Sequence, residues 1–189
     1  PETNSSQTSS SNTSQRAVLP KLERITVGPG PDANFKTIGE AIERVSANGE
    51  ITVVGPGPYE ESLSTQGPSL QGLRLIASPR VTLRPAIGDG LESRAFEIRD
   101  VAAVSVTGFD VEIQSENGRA VQTLGTVNDV SFVDCTFKHL LPEHRRSLVS
   151  IASLSDGPDS PIQFMQCHLS AAKGSIMCLA IEGEVVLCS

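Results

Sequence analysis

The chain has 189 residues, 38% of them hydrophobic, which is enough for one domain with a substantial core. Its 22 acidic and 15 basic residues leave a formal net charge of -7, and that charge repels the phosphate backbone that supplies most non-specific nucleic-acid affinity. No apolar stretch approaches the ~20 residues of a membrane-spanning helix, and no basic-then-apolar signal layout opens the chain, so neither nucleic acid nor membrane insertion is expected of this segment.

The chain opens on Pro1 and runs through Ser, Thr, Asn and Gln to Gln15. Such a tract cannot bury enough surface to offset its ordering entropy, so 1–20 is expected to be a disordered linker, left by an excision or processing step, in front of a folded domain over 21–189. Next, Thr37-Ile38-Gly39-Glu40 fits a capping box, and Ile38, Ala41, Ile42 and Val45 form the apolar stripe of a helix of about ten residues, with Asn48-Gly49 as its stop. A strand, Ile51-Thr52-Val53-Val54, follows, then the turn Gly55-Pro56-Gly57-Pro58. That turn and Gly28-Pro29-Gly30-Pro31 are not phosphate loops, because proline removes the amides that would hold the anion.

From Leu73 onward a pattern repeats. Val104 to Val111 matches Val130 to Phe137 and Ile162 to Leu169, with apolar residues at places one, three, six and eight of each copy. A spacing of two marks a strand with one buried face, and the step of three shifts parity, so each copy reads as two strands meeting at a corner. A second series runs through Ala95-Phe96-Glu97-Ile98, Ala120 to Leu124, Ser147 to Ile151 and Ser175 to Leu179, with Leu73 to Ile76 and Val81 to Leu83 as an earlier, simpler pair. From Leu73 to Ala95, Ala120, Ser147 and Ser175 the starts lie 22, 25, 27 and 28 residues apart, a solenoid spacing. The interruptions 138–146 and 153–161 read as surface loops. A Rossmann-like sheet would need long connecting helices, and a β-sandwich would show more hairpin signals than the single Asn117-Gly118. The expectation is therefore an all-β, right-handed parallel β-helix of about five or six coils with a short N-terminal capping α-helix.

Phe35-Lys36-Thr37-Ile38-Gly39-Glu40-Ala41-Ile42, the short helix, Ile51 to Val54 and Pro58-Tyr59-Glu60-Glu61 resemble the opening of pectin methylesterases and other pectin-lyase-like β-helix proteins. The resemblance covers 25–63 and continues more loosely to the C-terminus. The opening is also similar to β-helix modules appended behind linkers to bacterial serine/threonine protein kinases, which would make this the extracytoplasmic part of a membrane-tethered protein. In the pectin methylesterases, an aspartate nucleophile follows a Cys-x-Phe strand in a Gln-Asp-Thr motif and a second aspartate acts as acid/base. Here Cys135-Thr136-Phe137 is followed by Lys138-His139-Leu140, and the counterpart of the second motif, Gly174 to Cys178, holds no aspartate. Neither carboxylate stands where the resemblance implies it, and no catalytic residue is assigned.

Gln122 sits where a family glutamine could lie, and Asp134 and Asp110 are read as occupying equivalent places in their repeats, all three as outward polar residues at strand corners. The run Glu143-His144-Arg145-Arg146 offers charge to an acidic sugar from a loop, or is simply solvated surface. Gln122, Asp134, Glu143, His144, Arg145 and Arg146 are therefore the candidate ligand-binding residues. No cofactor and no metal are expected, since His139 and His168 lack Cys or carboxylate at ligand spacing. Cys135 and Cys167 fall at the same place in consecutive copies and should stack one coil apart as inward free thiols, whereas Cys178 and Cys188 have no evident mates. The functional expectation is a non-catalytic binding or spacer module of a larger protein, with carbohydrate or another protein domain as partner. The alternative is a divergent carbohydrate-active enzyme of pectinesterase or polysaccharide-lyase type. Val185 to Ser189 matches only the first five places of the repeat, which predicts that the chain is cut at a corner, with Val185 and Leu187 on an incompletely covered core end.

Overall fold

The computed structural model describes residues 20–87, 93–142, 146–154, 161–171, 179–182 and 185–188, so the expected linker lies, except for Pro20, outside the described residues. In order the chain forms β1 (Leu22–Val27), α1 (Ile38–Arg44), β2 (Val45–Val53), β3 (Leu63–Gln66), a 3-10 turn (Pro68–Leu70), β4 (Arg74–Leu83) and β5 (Arg94–Ala102). β6 (Ser105–Ile113), β7 (Arg119–Asn128), β8 (Val130–Val133), β9 (Thr136–His139) and β10 (Val149–Leu154) follow. β11 (Ile162–Met165), β12 (His168–Ala171), β13 (Leu179–Glu182) and β14 (Val185–Cys188) complete it. The fold is thus mostly β with one α-helix among the described residues, and that helix is neither long nor apolar enough to cross a membrane.

The strands build two parallel sheets. The nine-stranded sheet runs β1-β2-β4-β6-β8-β11-β14, with β9 beside β6 and β12 beside β9, and the five-stranded sheet runs β3-β5-β7-β10-β13. Every strand pair among the described residues is parallel, which removes the antiparallel sandwich. Asn117-Gly118 closes a tight turn, with Gly118 N–H donating to the Ser115 carbonyl at 3.0 Å, but the strands it joins belong to different sheets. No hairpin forms there.

Parallel register stacks like on like, so the core is a set of rows. Ile51, Leu75, Val106, Phe132 and Phe164 are successive ladder partners, as are Val111, Phe137 and Leu169, and as are Leu63, Phe96, Val121 and Val149. All are buried except the partly covered Leu169. Phe132 lies at the centre of an aromatic cluster, stacked on Phe164 at 5.0 Å and edge-on to Phe137 and Phe96 at 5.6 and 5.8 Å. β14 joins in the register that the repeat implies, Ile162 opposite Val185 and Phe164 opposite Leu187. The burial of those two β14 side chains lies outside the described residues.

What turns the chain at each corner is one left-handed residue, and these residues also stack. Asn48, Gly72, Ala103 and Asp129 form one column at φ of 59°, 72°, 58° and 50°, each two residues before the paired Glu50, Arg74, Ser105 and Ser131. Gly67, Asp100 and Gly125 form a second, directly after the paired Gln66, Arg99 and Leu124. Gly108, Asp134 and Gln166 form the third, at place five of the eight-place repeat, with φ of 79°, 51° and 53°. Gly, Asn and Asp tolerate this region best, which is why most positions use them.

Four expectations are corrected. The helix ends at Arg44, because Val45 enters the ladder opposite Leu22, and Asn48 belongs to the first corner column rather than to a helix stop. The signal for a left-handed residue was present, but it served a strand. In the second series Leu148, not Ser147, lies level with Ala120, and Leu179 pairs with Val149, whereas Leu73 belongs to the nine-stranded sheet and Leu63 precedes Phe96. Asp110 is the partner of Thr136, so it is not equivalent to Asp134, which stands at the corner aligned with Gly108. Finally, Lys138 and His139 are part of β9 rather than of a surface loop, and His139 is buried.

The helix cap draws on two distant segments. Thr37 Oγ1 accepts from the Glu40 amide at 3.3 Å, while the Glu61 carboxylate accepts from the Ile38 and Gly39 amides at 2.9 and 2.7 Å. Three of the first-turn donors are thereby satisfied. Ile38, Ala41 and Ile42 are buried beneath.

Candidate functional site

On the outer faces of the sheets several carboxylates are paired with arginines. On the nine-stranded sheet Arg80 reaches from β4 across two strands: its Nη1 donates to Asp110 at 2.7 Å and to Thr136 Oγ1 at 3.1 Å, and its Nη2 donates to Asp134. The Asp110 hydrogen bond is the main force raising the Arg80 pKa, against a lowering by partial burial, and the charges of both aspartates add to the rise. Arg84 pairs with Glu112 at 2.8 Å and Arg74 with Glu50 at 3.0 Å. Parallel register places these arginines one strand from an acid, which gives a ladder of surface ion pairs.

On the five-stranded sheet Ser64, Glu97, Gln122 and Ser150 form one row on the face opposite Phe96 and Val121. Glu97 accepts from Arg94 at 2.7 Å and from Arg99 at 3.4 Å. Beside it lies a cleft of about 200 Å³ lined by Ser62, Leu63, Ser64, Arg94 and Glu97. Gln122 is not at a corner, as the sequence suggested. It stands mid-strand, only 8% exposed, and its Oε1 is buried with no hydrogen-bond partner among the described residues. A buried acceptor left alone costs ~1–3 kcal/mol.

The candidate residues are thus dispersed. Gln122 stands on the five-stranded sheet and Asp134 at a corner of the nine-stranded one, its side chain 57% exposed and held by Arg80. Arg146 is exposed, while Glu143, His144 and Arg145 lie outside the described residues, as does the segment 174–178 aligned with the second esterase motif. The sequence reading missed Arg80, which no local pattern links to Asp110 or Asp134.

Two further groups are unusual. His139 is buried, with Nδ1 and Nε2 each 3.1 Å from a carbonyl, those of Leu141 and Ser115. Among the described residues no group of three or more His, Cys, Asp or Glu is placed to hold a metal ion. Cys135 and Cys167 are free thiols in consecutive rungs, Cys135 buried and Cys167 half-buried, so only the first is fully inward. A hydrogen bond between the two side chains, followed by burial, pushes the Cys135 pKa far up, and the same bond is the main cause lowering Cys167 to about 7, with burial and the Asp134 charge opposing. No family model, curated protein or solved structure matches the chain.

Proposed function

We propose that the chain is a right-handed parallel β-helix of the pectin-lyase-like kind, working as a non-catalytic binding or spacer module of a larger protein. The parent we favour is a bacterial serine/threonine kinase with this module as its sensor region. Three things support the fold reading: strands that alternate between two parallel sheets, three stacked columns of corner residues, and the strong preference of parallel crossovers for the right hand. The resemblance of 25–63 supports the family.

The observation that carries the non-catalytic reading is the arginine partnership of Glu50, Glu97, Asp110, Glu112 and Asp134. The paired-aspartate chemistry of the pectin methylesterases that the opening resembles needs one carboxylate free to attack and another able to exchange a proton. Asp110 and Asp134 do converge, but on the Arg80 guanidinium. That convergence is what speaks for the alternative, a divergent carbohydrate-active enzyme. The ligand group we favour is the Gln122 amide, level with Glu97 beside the cleft; its Oε1 is buried, so a sugar hydroxyl or a backbone N–H of a partner domain would engage it once the side chain turns outward.

The test is calorimetric titration with oligogalacturonides and neutral oligosaccharides, run beside methanol release from methylated pectin and absorbance of unsaturated product from polygalacturonate. Binding that weakens in Gln122→Leu, without turnover, is the expected result. Turnover that disappears in Asp134→Asn would overturn the proposal.

A further inference from the structure

Cys135 and Cys167 occupy place six of consecutive repeats, just past the left-handed residues Asp134 and Gln166. Backbone hydrogen bonds clamp the two corners together on either side of the thiols: Asp134 N–H donates to the Met165 carbonyl at 3.0 Å, and His168 N–H to the Cys135 carbonyl at 2.9 Å. Val133 pairs with Met165 and Thr136 with His168, so the two cysteines are held one strand spacing apart, ~4.8 Å, inside the Cα separation that a disulfide accepts. The two thiols are oriented alike in their rungs, Cys135 Sγ lying 3.3 Å from the Val133 carbonyl and 3.7 Å from that of Val106, and Cys167 Sγ lying 3.4 Å from the Met165 carbonyl and 3.3 Å from that of Phe132. One thiol is buried and the other is partly open to solvent. That asymmetry is what distinguishes an attacking thiol from a resolving one.

We propose that Cys135 and Cys167 form a reversible redox pair, in which a hydroperoxide oxidises Cys167 and Cys135 resolves it to a disulfide between adjacent rungs. In the first step the Cys167 thiolate attacks one peroxide oxygen; an S–O bond forms, the O–O bond breaks and hydroxide (or alkoxide) leaves. The Cys135 sulfur then attacks the Cys167 sulfenic acid; the S–S bond forms, the S–O bond breaks, and the oxygen departs as water with the Cys135 proton. Two thiols lose two electrons in total, and the peroxide gains them. Reduction returns them by attack of an external dithiol on Cys167, the accessible sulfur, through a mixed disulfide. The lowered pKa of Cys167 supplies thiolate near neutral pH, and the Cys135 thiol provides the hydrogen bond that lowers it. The product would tie the β8–β9 corner to the β11–β12 corner, so that two rungs separate only after reduction.

The test is hydrogen peroxide at near-stoichiometric dose on the full chain, followed by alkylation and non-reducing peptide mapping. Cys178 and Cys188 serve as internal controls. The expected result is a linked peptide joining Cys135 to Cys167, reversed by dithiothreitol, with a melting temperature ~5–10 °C higher in the oxidised form. In Cys135→Ala, dimedone should trap a sulfenic acid at Cys167, and in Cys167→Ser, Cys135 should stay reduced. Linked peptides spread across all four cysteines would overturn the proposal. So would oxidation of wild-type Cys167 to sulfinic acid without a linked peptide, or oxidation of Cys135 at an unchanged rate in Cys167→Ser.

Discussion

Replacing Phe132 with Ala probes what holds successive rungs together. The ring is fully buried, with Phe164 stacked on one side and Phe96 and Phe137 edge-on around it. Removing about 150 Å² of buried ring at roughly 25 cal/mol per Å² costs about 4 kcal/mol, near the middle of the ~3–5 kcal/mol range for Phe to Ala. The void cannot close easily, because β8 is hydrogen-bonded to β6 on one side and β11 on the other. Phe132→Leu fills most of the space and should cost ~1–2 kcal/mol. Urea unfolding followed by far-ultraviolet circular dichroism gives both values. Tyr59, the sole tyrosine in a chain without tryptophan, gives a second probe by fluorescence from the far side of the rows, beside Leu83. Coincident transitions in the two signals mean that the rungs unfold as one unit; a lag at Tyr59 means that they unfold successively. A loss below about 1.5 kcal/mol for the Ala variant, or equal losses for Ala and Leu, refutes a rigid stacked core.

Gly108→Ala should lose ~1–3 kcal/mol, because its φ is +79° and an added Cβ would meet the Ala77 carbonyl oxygen at 2.7 Å, whereas Ala103→Gly, at φ +58°, should gain ~0.5 kcal/mol; the same urea titration checks both. Glu61→Gln should cost ~1 kcal/mol and speed hydrogen exchange at the Ile38 and Gly39 amides, and unchanged exchange would remove the cap from the account. Alkylation of reduced Cys167 by iodoacetamide should rise through pH about 7, and Cys135→Ala should move that midpoint upward by removing the hydrogen bond. In the reduced pair the lowered Cys167 pKa adds stability as pH rises from about 7 toward 9, and the raised Cys135 pKa takes stability away as pH rises beyond 9, which a pH series of melting curves on the reduced protein checks.

Strand identity and the parallel arrangement were legible because both are written locally. Apolar residues two apart, with a parity step at each corner, mark the buried face of Val104 to Val111, Val130 to Phe137 and Ile162 to Leu169, and the observed ladders pair these copies place for place. The pattern of the second series is one or two residues out of step with the ladder at Ser147 and Ser175, since Ser147-Leu148-Val149 carries apolar residues at both parities and only hydrogen bonds to Val121 and Leu179 choose between them. Asn48-Gly49 announced a left-handed turn but not its element, because a helix stop and a strand corner ask for the same backbone angle. The site was the least legible part. Arg80 meets Asp110 and Asp134, and Glu97 lies level with Gln122, only because separate repeats stack in one particular register. Sequence determined which apolar residues of the repeat face inward; the tertiary ladder alone decided that Gln122 and His139 are buried and which outward charges touch, because register is fixed by long-range hydrogen bonds that no local pattern records.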